Sequence, residues 1–220
     1  MTKIPSFALV MLALGVATAS HAQPSGTDTD ADGGAPPPTL PVQTGPGWQV
    51  AFNVGAQSDY VFRGISQTDE RPSGFAGVDV TYQQQWYVGG WTSNVDFRPS
   101  GDTSTRQEFD LYGGWRPTLA GINIDLGYIY YGYRDQPVGL RESYAETYLR
   151  GSHAFGPVTV GAALFYSNNF PGSSRHADYG EANIAYAIDS AWTLAFIFFL
   201  SRNTRDRLPS ASDRLPPACA

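Results

Sequence analysis

Cysteine and lysine are almost missing from this chain. The single thiol, Cys219, can form no internal disulfide, so the fold has to rest on strand pairing and packing. Lys3 is the only lysine; arginine supplies the other cations, and 14 basic against 20 acidic residues leave a formal charge of −6. An acidic balance without a basic patch argues against a nucleic-acid partner. Long apolar runs are missing too. Beyond the first 22 residues nothing approaches the roughly 18 consecutive apolar residues of a spanning helix, which excludes a helical membrane protein. The chain has no GxSxG, HExxH or phosphate-cradling glycine loop, so neither an enzyme nor a bound metal or cofactor is expected. His153 is expected in a short turn and His176 in a long loop, both as solvated residues and not as catalytic bases.

What is present begins with an export signal. Lys3 gives a positive start, Phe7 to Val16 form an apolar run too short to span a bilayer, and Ser20-His21-Ala22 is a small-x-small cleavage site. Residues 1–22 are therefore expected to be removed on export. Residues 23–47, rich in Pro, Gly, Thr and Asp, cannot bury enough apolar surface to offset chain ordering and are expected to be a disordered linker. Asp28, Asp30 and Asp32 are spaced like the start of a calcium loop, but the later glycine and terminal glutamate are missing, so no metal site is expected there.

From Trp48 onward, nine stretches alternate apolar and polar residues. The period of two predicts strands with one face apolar and the other polar. The first stretch, Trp48 to Gly64, sets Phe52, Val54, Tyr60 and Phe62 against Asn53, Asp59 and Arg63; the second sets Val78 and Val80 against Asp79. The third places Tyr87, Gly89, Trp91 and Val95 opposite Thr92, Asn94 and Asp96, and the fourth Phe109, Leu111 and Trp115 opposite Glu108 and Asp110. The fifth is the cleanest, with Ile122, Ile124, Leu126 and Tyr128 against Asn123, Asp125 and Gly127. The remaining four carry Glu146 and Arg150, then Thr159 and Gly161, then Glu181, then Thr193 on their polar faces.

The connections alternate in length. QQQ (83–85), RPTLAG (116–121), SHAFGP (152–157) and DSA (189–191) are short, whereas the connections that begin near Ser66, Arg98, Arg134 and Ser167 are long and polar. Short turns on one side and long loops on the other, with aromatics such as Trp48, Trp86, Trp115 and Trp192 near strand ends, predict an all-β, antiparallel transmembrane β-barrel. It would be an up-and-down meander over residues 48–199, in the outer membrane and in contact with its lipid. A secreted soluble β-sandwich accounts for the alternation and export but not for the loop asymmetry.

By strand parity the pore-lining set is Asp59, Arg63, Asp79, Asp96, Glu108, Asp110, Asp125, Glu146, Arg150 and Glu181, with Arg106 a further candidate. An acidic lining lowers the energy of a cation in a low-dielectric path, so the expected function is a passive diffusion channel for small hydrophilic solutes or cations. The alternative is a non-conducting structural or adhesin-like barrel, whose small interior is filled by side chains and whose arginines pair with the carboxylates.

The segments SDYVFRGISQTDERPSGFAGVDV (58–80), YVGGWTSNVDF (87–97), EFDLYGGW (108–115), IDLGYIYYGY (124–133) and YAETYLRGSHAFGPVTVGAALFYSNNF (144–170) resemble the TorF family of outer-membrane porins. The resemblance runs over roughly residues 48–198. It implies an exported, porin-like barrel and carries no catalytic residue or substrate with it. The chain departs from that pattern after Phe199, where residues 200–220 hold four Arg and three Pro. This stretch is expected to be an irregular tail. Nine strands is also an odd count where barrels have an even one, so 10 to 12 are expected in a complete chain.

Overall fold

The computed structural model describes residues 9–16, 40–139, 141–171, 174–189 and 192–205, and among them there is no α-helix. The strands are β1 (Leu9–Val16), β2 (Leu40–Gly45), β3 (Trp48–Gln57), β4 (Val61–Phe62), β5 (Ile65–Ser66), β6 (Ser73–Tyr82), β7 (Trp86–Asn94), β8 (Gln107–Trp115), β9 (Thr118–Leu119), β10 (Ile122–Arg134), β11 (Tyr144–Phe155), β12 (Val158–Ser167), β13 (Ser174–Ala187) and β14 (Trp192–Arg205). One antiparallel sheet runs in the order β1-β14-β13-β12-β11-β10-β8-β7-β6-β3-β2, with β9 paired to β10 and β4–β5 a separate hairpin. From β2 to β14 this is the expected meander. Each long strand pairs with its chain neighbour, as in the Leu126–Leu149 and Leu126–Trp115 registers that flank β10.

The sheet is strongly curled. Tyr87 on β7 reaches the hydroxyl of Tyr148 on β11, three ladders away, and Arg63 in the β3–β6 connection reaches Glu146 on β11 and the rings of Phe165 on β12 and Tyr179 on β13. Strands lie about 4.8 Å apart, so β6 and β13 would stand roughly 29 Å apart in a flat sheet, beyond the reach of any side chain. One face is therefore turned inward.

Polarity is inverted relative to a soluble protein. On β8, Glu108 is 1% exposed and Leu111 58%; on β11, Glu146 is 2% exposed and Leu149 49%. Val54, Val88 and Leu164 point outward in the same way. Inside, aromatic rings lie flat across glycines of the neighbouring strand. Tyr148 covers its register partner Gly127, and Tyr112 covers Gly89; a Cβ at either glycine would fall closer than 3.0 Å to the ring. These glycines give the large rings room within the curl.

Several expectations are corrected. β3 ends at Gln57, not near Gly64, because the chain leaves the ladder and turns inward, which takes Tyr60 to 6% exposure instead of to the outer face. On β7 the parity is the reverse of that expected. Trp86 and Val88 face out, while Tyr87 and Gly89 face in, against Asp125 and Tyr112. Within the stretch expected to be a disordered linker, Leu40–Gly45 forms β2 and pairs with β3, its Leu40 and Val42 opposite Phe52 and Val50. β14 runs through Arg205, six residues into the expected irregular tail, since Leu200 to Arg205 continue the ladder with β13 before the first proline of that tail. His153 and His176 lie on β11 and β13, not in connections. Leu9–Val16, the apolar run of the expected export signal, pairs with Trp192–Phe199. β3 and β14 share no ladder, so the sheet is open between β1 and β2. Asp28, Asp30 and Asp32, and residues 206–220, lie outside the described residues.

Gly127→Ala should force Tyr148 out of its seat and cost roughly 1–3 kcal/mol, as overpacking does elsewhere. Urea unfolding of the refolded variant, followed by tryptophan fluorescence, measures that cost; an unchanged midpoint would mean that Tyr148 has an equally good alternative seat.

Candidate functional site

The interior is a network of carboxylates held by tyrosines. Asp79 on β6 accepts the Tyr112 hydroxyl at 2.7 Å, and Asp125 on β10 accepts that of Tyr87 at 2.6 Å. Glu108 accepts Tyr60 at 3.1 Å, with Tyr133 and Asp110 beside it, and Glu181 accepts Tyr179 at 3.1 Å. Strand periodicity explains the set: Glu108, Asp110 and Tyr112 are two residues apart on β8, so all three project from its inner face. A hydrogen bond to a charged acceptor is worth about 1.5–3 kcal/mol, which is what allows carboxylates to remain buried here.

The β3–β6 connection folds into this interior as a small hairpin. Arg63 and Gly64 hold φ values of 48° and 80°, both in the left-handed region, and make the tight turn between β4 and β5. The turn delivers the Arg63 guanidinium to Glu146, where Nη1 donates to Oε1 at 2.9 Å and Nη2 to Oε2 at 2.7 Å. Around the same guanidinium stand the rings of Tyr179, Phe62 and Phe165, at 4.1, 4.7 and 4.8 Å. At the base of the hairpin, Asp59 accepts the hydroxyls of Ser66 at 2.6 Å and Thr68 at 2.8 Å.

The structure thus gathers most of the expected pore-lining residues on one face. Asp79, Glu108, Asp110, Asp125, Glu146, Arg150 and Glu181 project inward from strands, and Arg63 is brought in by the hairpin. Asp59 belongs to the base of that hairpin and not to a strand wall. Asp96 is a correction: it lies beyond the end of β7, in the β7–β8 connection, where Arg71, Arg98 and Arg106 converge on it. Arg106 goes with it. Residues that parity missed are Tyr60 and Tyr87, assigned outward, and Arg116, whose guanidinium lies 5.0 Å over the Tyr87 ring and donates to Thr81. β7 carries tryptophan on both faces and no charged side chain, so nothing in its own pattern sets the parity. Among the described residues, six inward strand carboxylates face Arg63, Arg116 and Arg150, a formal excess of three negative charges, smaller than strand parity alone predicts.

Outside the strands, two loop carboxylates are held low. The Arg98 guanidinium brings Asp96 down to about 2. Desolvation works against Asp102, yet hydrogen bonds from Thr105 and Ser104 outweigh it and bring its carboxyl to about 2 as well. Burial, with Asp102 nearby, pushes Glu142 up, although Thr105 Oγ1 donates to it at 2.7 Å. Depressed carboxylates contribute ordering above their unfolded value of about 3.8 and lose it as pH falls through about 2. The 95–106 connection should therefore become protease-sensitive between pH 4 and pH 2 while the strands persist. Limited pepsin digestion with mass mapping checks this, and cuts confined to other loops would contradict it.

Residues 42–202 match a family described as a bacterial protein of unknown function, Gcw_chp. No curated protein matches the chain. The matched span begins within β2 and ends within β14, so it takes in all of the meander but the outer ends of those two strands, the inward hairpin and every carboxylate of the interior network. The chain belongs to the Gcw_chp family.

Proposed function

We propose that this protein is an outer-membrane β-barrel providing a narrow diffusion path for small hydrophilic solutes, with a preference for cations. The observation that carries the reading is the inverted polarity of the sheet: leucines and valines face outward while Glu108, Asp110 and Glu146 are buried on the inner face. Such a surface suits hydrocarbon outside and a polar lumen inside. The export signal expected from the sequence and the resemblance to the TorF porins support the same location. An excess of inward carboxylates favours cations over anions along the axis.

A second reading has its own support. The Arg63 hairpin and the tyrosine–carboxylate bonds fill much of the interior, as they would in a closed structural barrel. Conductance separates the two. In planar bilayers under a salt gradient the channel should give a cation-selective reversal potential, and Glu108→Gln with Asp110→Asn should reduce that selectivity. Low pH and high salt should reduce it as well, through protonation and screening. Anion selectivity would overturn the proposal, and absence of conductance would favour the filled barrel.

The outer wall is tested independently. Leu111 lies mid-strand and faces out, so Leu111→Arg should cost about 2–4 kcal/mol in urea titrations from lipid vesicles. In a soluble sheet the same change at a solvent-exposed leucine would be nearly neutral.

A further inference from the structure

We propose that Glu146, Tyr131, Phe165 and Tyr179 form a recognition site for guanidinium-bearing solutes, and that Arg63 occupies it as a built-in ligand. The site has the two elements that recognise a planar cation. The Glu146 carboxylate, 2% exposed, meets the guanidinium fork in a paired geometry with bonds of 2.9 and 2.7 Å, and aromatic faces stand 4.1 and 4.8 Å from the guanidinium carbon. Tyr131 donates to Glu146 Oε2 at 3.4 Å and aims the carboxylate. A compact ammonium cannot match the fork or lie flat on the rings, so the site discriminates by shape as well as by charge.

What makes this a site and not only a packing contact is how Arg63 arrives. The four residues of the site lie on β10, β11, β12 and β13, whereas Arg63 comes from the turn of a hairpin with two-residue strands in the β3–β6 connection. The walls belong to continuous ladders to which the hairpin contributes no strand; the guanidinium is delivered to them. With Arg63 withdrawn, Glu146 becomes a buried carboxylate that calls for a cation. Among the described residues a second cation, Arg150, stacks over Tyr148 with its guanidinium 5.3 Å from the Phe165 ring; its Cα is four residues along β11 from that of Glu146, roughly 13 Å by strand rise, and the fork on Glu146 is made by Arg63. Selection of organic cations for passage rests on the channel reading; binding at the site does not.

The test is chemical rescue of the full chain refolded in detergent. Arg63→Ala should lower the melting temperature, and low-millimolar guanidinium chloride or agmatine should restore part of the loss while sodium chloride at equal ionic strength does not. Adding Glu146→Gln to Arg63→Ala should weaken the guanidinium response on the order of tenfold. Arg63→Met, which keeps the apolar stem, serves as the second background if the alanine variant refolds poorly, and refolding of either variant only with guanidinium present counts as rescue. Equal responses to guanidinium and sodium, rescue unaffected by Glu146→Gln, or failure of both variants to refold with guanidinium present would overturn the proposal. Because melting requires no current, a silent bilayer with intact rescue would reject the channel and leave the site standing.

Discussion

Buried carboxylates need donors, and the interior of this protein is organised around supplying them. An isolated carboxylate in a low-dielectric interior is costly enough that it must be paired or hydrogen-bonded. Here tyrosine hydroxyls fill that need, from other strands at Asp79 and Asp125, from the first long connection at Glu108 and from the same strand at Glu181, and a guanidinium does so at Glu146. The bond from Tyr87 to Asp125 crosses two ladders, so it forms only once the sheet has curled. Curl and pairing are therefore coupled: flattening the sheet would strip Asp79, Asp125 and Glu146 of their partners.

Glycine is the other half of that arrangement. A tyrosine whose hydroxyl reaches a distant strand has to lie over something, and the residues beneath the Tyr148 and Tyr112 rings are Gly127 and Gly89. At these two places the inner face pairs a large ring that carries a hydroxyl with a position that has no side chain. The outer face has no such demand, and its leucines and valines stand side by side without pairing requirements. The same backbone ladder in this way serves two different solvents.

The first long connection shows how a loop can become part of an interior. Its turn places Arg63 and Gly64 in the left-handed region, and an arginine there costs of order 1 kcal/mol in backbone strain. The paired bond to Glu146 and the three surrounding rings more than offset that cost. At the sheet's margins the physics differs. β2 is short and contains Pro41, a residue suited to an edge because it has no backbone N–H to leave unpaired, whereas the 14-residue β14 accepts the apolar Leu9–Val16 along its free side.

Strand identity, antiparallel order and the inward direction of Asp79, Glu108, Asp110, Asp125, Glu146 and Glu181 were legible in the sequence, because a period of two forces alternate side chains onto opposite faces wherever a strand is regular. Parity failed where regularity ended. Asp96 lies past the end of β7, and Tyr60 lies past the end of β3, so counting by twos carried each to the wrong place. It failed on β7 itself because aromatics stand on both of its faces and no charge marks the inner one. Which tyrosine serves which carboxylate, and that Arg63 lies against Glu146 across 83 residues of chain, depended on the curl. Local pattern determines which face a side chain takes; only the closing of distant strands on one another decides what it meets there.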